Sequence, residues 1–129
     1  MSRTAEEQQT LDRVMEMYHT VLVPMDASKV DDYISPEYIQ HSPNATPGPQ
    51  GLKDFLNRIK VESPDAKHTF LQTLVDGNMV MVRVHVEIFP GTPGIVAVDL
   101  FRVEGDMIVE HWETIQEVPA QSTTGTSFV

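Results

Sequence analysis

The apolar residues of this chain change their spacing once, near Lys67. Before that point they recur every three or four residues. After it they alternate. The first pattern gathers side chains on one stripe of a helix and the second on one face of a strand, and neither pattern can serve as the other. The chain therefore reads as helices followed by an antiparallel meander, an α+β layout. Thr4 with Glu7 forms a capping box. Leu11, Val14, Met15, Tyr18, Val21 and Leu22 make one apolar stripe, which Pro24 ends. A short helix is expected over Ser28 to Ile34 and a short strand over Glu37 to His41. Three prolines and two glycines make Ser42 to Gly51 a loop, and a second helix follows through Leu52, Phe55, Leu56 and Ile59. Four strands are expected over Lys67 to Val75, Met79 to Phe89, Ile95 to Val103 and Met107 to Val118.

Length and charge narrow the class. The 129 residues suffice for one core, assigned here to residues 1–120, with the Ser/Thr/Gly-rich residues 121–129 expected as a flexible tail. Acidic residues outnumber basic ones 19 to 9, a net charge of −10, which disfavours nucleic acid and anionic membranes as partners. With no cysteine there is no disulfide, thiolate chemistry or cysteine zinc site. No apolar run could span a bilayer, and the polar N-terminus is unlike a signal peptide, so a cytoplasmic protein is expected.

Short turns set strand register, and register decides which residues are neighbours. If Phe89 pairs with Ile95, His85 lies opposite Asp99. If Glu104 and Met107 close the last turn and no bulge intervenes, Asp99 lies opposite Trp112. His85, Asp99 and Trp112 would then form one row on a face that also carries Phe70, Phe89 and Phe101. The other face would be mostly β-branched: Val82, Val84, Val86, Val98, Leu100 and Ile115. Two readings stay open at this point. Either the valine face is the core and the mixed face is wet, or the sheet curls around a pocket on its mixed face and the valine face meets another subunit.

The motifs Tyr38-Ile39-Gln40-His41-Ser42-Pro43, Gly51-Leu52 with Phe55, Val84-His85-Val86, Val98-Asp99-Leu100-Phe101-Arg102-Val103 and Gly105-Asp106-Met107-Ile108-Val109-Glu110-His111-Trp112-Glu113 resemble those of SnoaL-like proteins. These are polyketide-cyclase-type members of the nuclear transport factor 2-like superfamily. The resemblance implies a cone-shaped, curved, mainly antiparallel sheet wrapped around N-terminal helices, with a pocket inside. It also implies acid/base work by an aspartate and a histidine at the positions of Asp99 and His85, with His41 at a third pocket position. Relatives that open epoxides carry a carboxylate beyond the tryptophan, where this chain has Gln116, which weakens that activity here. The fold hosts many chemistries, so function rests on the site itself.

The resulting expectation is a cofactor-free cyclase or isomerase for a small hydrophobic carbonyl compound. Asp99, desolvated beside Phe101 and Trp112, would be the base, aided by His85 and His41. Trp112, Phe101, Phe70, Tyr18, Tyr38 and Gln116 would line the substrate. A pocket protein that binds without turnover is the alternative, with epoxide hydrolase-like or dehydratase activity behind it. A metal triad of His41, His85 and Asp99 has no local motif spacing behind it, so no metal is expected. Tyr33, like Tyr18 and Tyr38, could bind a substrate oxygen but fits an amphipathic element as plain packing, and His19 and His68 are given no role. His111 is assigned to the valine face or a subunit boundary. A homodimer is expected through Val82, Val84, Val98, Leu100 and Ile115.

Overall fold

The structure, a computed structural model, describes residues 2–129. Helix α1 spans Ala5–Met17 and begins at the expected capping box: the Glu7 amide donates to Thr4 Oγ1 at 3.0 Å, and the Thr4 amide donates to Glu7 Oε1 at 2.9 Å. The helix then widens into one π turn, Tyr18–Leu22. Met25 ends the run with φ 56, a left-handed conformation that glycine usually supplies, and its side chain is buried. A 3-10 turn over Ala27–Asp32 leads into strand β1, Ile34–Gln40. The strand starts earlier than the sequence suggests and contains Pro36, tolerated because β1 is an edge strand.

Helix α2 spans Gly48–Glu62, beginning inside the stretch read from sequence as a loop. Pro49 fits there because the first turn of a helix needs no amide donor. Four strands follow: β2 (Lys67–Asp76), β3 (Met79–Glu87), β4 (Ile95–Glu104) and β5 (Met107–Glu117). The sheet order is β1-β5-β4-β3-β2, with β1 parallel to β5 and all other neighbours antiparallel. The expected α+β architecture, helices held against a curved open sheet, is the one observed. No helix among the described residues is long and apolar enough to cross a membrane.

The registers overturn the expected faces. On β3 and β4, His85 pairs with Val96 and Val82 with Asp99, because the loop after Glu87 is longer than a Phe89–Ile95 closure allows. The last turn does close on Glu104 and Met107, but a bulge at Val109 moves Asp99 from Trp112 to Glu113. One inserted residue reverses every side chain beyond it. The inner face therefore carries Val80, Val82, Val84, Asp99, Phe101, Val103, Ile108 and His111, all buried. Leu11, Val14, Met17, Tyr18 and Val21 pack on it from the N-terminal helix, and Leu52 and Leu56 from α2. Each fully buried aliphatic side chain contributes about 1.5–3 kcal/mol of transfer free energy.

The expected dimer face is thereby corrected. Val82 and Val84 belong to the core and Ile115 lines the inner cavity, which leaves Val98 and Leu100 on the outer face. The end of the chain, expected as a loose tail, contacts the same face: the Phe128 carbonyl accepts from Arg83 at 2.7 Å.

The loop before α2 touches the helix at Gly51, where a Cβ would lie 1.8 Å from the Thr46 carbonyl oxygen and 2.4 Å from its carbon. Backbone cannot yield as a flexible side chain can, so Gly51→Ala must push the loop off the helix. We expect this variant to lose about 1–3 kcal/mol of stability in urea unfolding, as overpacked sites do. An unchanged midpoint would show that the loop is not held against α2.

Candidate active site

The helices and the curled sheet enclose a cavity of about 370 Å³. Met17, Leu22, Met25, Leu56, Ile59, Ile88 and Ile95 make most of its wall apolar. Its polar end is built where β4, β5, the end of β1 and the π turn meet. Asp99, 5% exposed, accepts from the Tyr18 hydroxyl at 2.5 Å on Oδ2 and faces His111 Nε2 at 2.8 Å through Oδ1. His111, 8% exposed, stacks on Phe101 with ring centroids 4.8 Å apart. Phe101 and Phe70 hold the Tyr18 ring edge-on, at 5.7 and 5.1 Å.

The outer hydrogen bonds determine where the protons sit. Gln40 Oε1 accepts from the Ser42 amide at 2.9 Å, and Gln40 Nε2 donates to the Tyr38 hydroxyl at 2.8 Å. That settles the amide orientation, so His111 Nδ1, 2.7 Å from Gln40 Oε1, must donate to it. The gap between His111 Nε2 and Asp99 Oδ1 then holds a single further proton, borne by one partner or the other. Burial and the neighbouring Asp99 push both Tyr18 and Tyr38 above the usual phenol range, so each stays a neutral hydroxyl.

Glu113 faces Asp99 across the β4–β5 pair and accepts from Ser42 Oγ at 2.9 Å. Burial, then the Asp99 charge, pushes its carboxyl above the usual carboxylate range. Asp99, His111 and Glu113 bring ligating atoms within 4.8 Å of one another, the set that would hold a cation if one bound. Within the chain those atoms are already hydrogen-bonded to each other or to Tyr18 and Ser42.

Of the residues expected from sequence, Asp99, Phe101, Tyr18 and Tyr38 line the cavity, and Phe70 backs Tyr18. His85, His41, Trp112 and Gln116 do not. His85 lies on the outer face, hydrogen-bonded to the Pro93 carbonyl at 2.7 Å, because its register partner is Val96. His41 lies outside, stacked on Trp112 at 4.9 Å and paired with Glu110 at 2.7 Å. Trp112 is turned outward by the Val109 bulge, and Gln116 is exposed. The proposed triad of His41, His85 and Asp99 is therefore not assembled. Sequence reasoning missed His111, Glu113, Gln40 and Ser42 as site residues. The signal was Ile108 and His111 three residues apart, a spacing that a bulge alone can put on one face. The carboxylate that follows the tryptophan inside the cavity is Glu113.

The raised Glu113 carboxyl has a consequence for stability. Above the usual carboxylate range the folded state keeps a proton that the unfolded chain has released, so this group's contribution falls as pH rises. Glu113→Gln removes that dependence while keeping an acceptor for Ser42. We expect it to be more stable than the parent at pH 8, with the gap closing toward pH 4 in urea titrations. A gap that widens toward pH 4 would contradict this.

A family model of the SnoaL-like domain matches residues 7–111. No curated protein matches the chain. Three solved structures are similar. A candidate SnoaL-like polyketide cyclase from Jannaschia sp. CCS1 has a TM-score of 0.71 and 18% identity, over 89% of this chain and 90% of that one. A candidate polyketide cyclase from Acidithiobacillus ferrooxidans has a TM-score of 0.68 and 17% identity, over 89% and 91%. An NTF2-like protein of unknown function from Mesorhizobium loti has a TM-score of 0.69 and 19% identity, over 89% and 97%. At these identities the likeness is one of fold. The family match, by contrast, runs from the first helix through His111 on the last strand, and with it the chain belongs to the SnoaL-like family.

Proposed function

We propose that this chain is a cofactor-free acid/base enzyme of cyclase or isomerase type, acting on a small hydrophobic carbonyl compound held in the cavity. The observation that carries this reading is the Asp99–His111 pair, which holds one proton at the polar end of a mostly apolar cavity. With that proton on His111, Asp99 is a carboxylate. Tyr18 and His111 each take one of its lone pairs, and others remain for a ligand. It accepts a proton from carbon next to the carbonyl, and the electron pair of that C–H bond becomes the enolate. The enolate then takes the proton back at another atom, which is isomerisation, or its carbon attacks a second carbonyl in the same molecule, whose oxygen gains the π pair and takes the proton from Asp99, which closes a ring and restores the base. Tyr18 holds Asp99 in place, and His111 keeps the charge balanced as the proton moves.

A second reading is a protein that binds such a ligand without turning it over. It is favoured by Asp99 having both oxygens hydrogen-bonded within the chain. Deuterium uptake separates the two. The parent protein, mixed with 2-tetralone in D2O, is expected to speed exchange at C1, followed by proton NMR. Asp99→Asn should lose about 100-fold or more of that acceleration with its fold intact. Binding of 2-tetralone without accelerated exchange would decide for the second reading.

We also infer a homodimer, now through the outer face of the sheet. Val98 is 37% exposed there, and Leu100 and Trp112 are half-buried, with no helix covering them. A second copy of the same face is the simplest cover, since two-fold pairs are the commonest assemblies. Val98→Asp should convert the dimer to a 14.5 kDa monomer in sedimentation at micromolar concentration, because an unpaired carboxylate resists burial. A monomer before substitution would refute the dimer.

A further inference from the structure

His68 stands on the inner face of β2 and lines the cavity, yet the hydrogen-bond network of the polar end does not include it. Its Nδ1 is the one buried side-chain nitrogen or oxygen among the described residues with no partner. A buried polar atom without a partner is costly, and natural structures rarely keep one. Nδ1 is enclosed by protein, and nothing can reach it there. That leaves Nε2 as the ring's only polar contact for a molecule in the cavity.

The state of the ring follows from this enclosure. Burial pushes the imidazole below the usual histidine range, and the Asp99 charge offsets this only in part, so the ring is neutral at neutral pH. A neutral imidazole carries one N–H. The side able to find a partner keeps it, so Nε2 is a donor and Nδ1 a bare lone pair. Such a group recognises an acceptor oxygen.

Position separates this contact from the reacting centre. His68 lies level with Ile95 across β3, so it stands two strand spacings, about 10 Å, across the sheet from β4 and a further four residues, about 13 Å, from Asp99 along that strand. One carbonyl and its adjacent C–H are too short to reach both. We propose that His68 Nε2–H is a second recognition point of the site, and that the ligand is an elongated apolar compound with two oxygens, a carbonyl beside the carbon acid at Asp99 and a second acceptor oxygen that His68 holds. This deepens the acid/base reading and rests on it for what happens at the Asp99 end. His68 would be a positioning residue: it fixes how far the ligand extends from Asp99 and which way round it lies.

The test uses a matched pair of probes, 2-tetralone and 6-acetyl-2-tetralone, with binding read by calorimetry. The acetyl oxygen should improve affinity about three- to tenfold in the parent, as one net hydrogen bond does. In His68→Phe that preference should vanish while 2-tetralone itself binds as before. In the parent, long-range nitrogen–proton NMR should report the Nε2–H tautomer of His68, with the Nε2 proton moving downfield only for the acetyl compound. That spectrum needs no substitution, so it decides the matter even if His68→Phe fails to fold. An Nδ1–H tautomer, or a preference that survives His68→Phe, overturns the proposal. Binding does not depend on turnover. Deuterium exchange that persists while the acetyl preference is missing sinks His68 alone, and an intact preference without exchange sinks only the proton-transfer reading.

Discussion

A carboxyl group has been taken out of water at Asp99, and the surrounding chain is arranged to meet that cost. An isolated carboxylate in an apolar interior is penalised by several kcal/mol, and it persists only when its oxygens are hydrogen-bonded or its charge is matched. Among the described residues, no lysine or arginine reaches it through a salt bridge. Its partners are a tyrosine from the N-terminal helix and a histidine from the neighbouring strand. The π turn over Tyr18–Leu22 sits where the Tyr18 hydroxyl meets Asp99, in keeping with the frequent use of such turns at sites. Removing either partner leaves the other groups buried and incompletely satisfied, which is costlier than never having buried them.

The second layer of the network comes from the end of β1. His41 donates its amide to the His111 carbonyl, and Gln40 and Ser42 flank that bond. On the outside, His41 stacks on Trp112 and pairs with Glu110, which Arg102 also holds at 2.9 Å. Exposed ion pairs of this kind contribute little stability on their own. Their place in the structure suits a different task, clamping the edge strand against β5 so that Gln40 and Ser42 reach His111 and Glu113 inside. The two histidines read from sequence as catalytic thus lie outside the cavity, one on a loop carbonyl and one in this clamp.

The secondary structure was legible in the sequence almost throughout. A capping box, an apolar stripe and a change of period are local signals, and they are written in neighbouring residues. Misread boundaries trace to local chemistry with two uses: Pro49 reads as a loop residue but opens α2 equally well, and Pro36 reads as a break but sits on an edge strand. The site was legible in part. Asp99 was recognisable through the family resemblance, Phe101 as an aromatic unsuited to a wet sheet face, and Tyr18 and Tyr38 as hydroxyls able to bind substrate oxygens. His111 and Glu113 were not, because their side of the sheet depends on one inserted residue at Val109, and alternation alone carries no mark of a bulge.

The sequence by itself therefore determined, to within a few residues, which segments are helix and strand and that the last four strands form an antiparallel meander, but not that β1 joins the sheet parallel to β5. Hydrogen bonding between neighbouring residues and the spacing of apolar side chains suffice for what it determined. Only the tertiary structure decided which face of the sheet is enclosed and which titratable groups meet there. Strand register is a relation between residues far apart in the chain, and a single bulge or a slightly longer loop reverses it. For that reason Asp99 faces His111 and Glu113, while His85 and Trp112, equally plausible from the sequence, point away from the cavity.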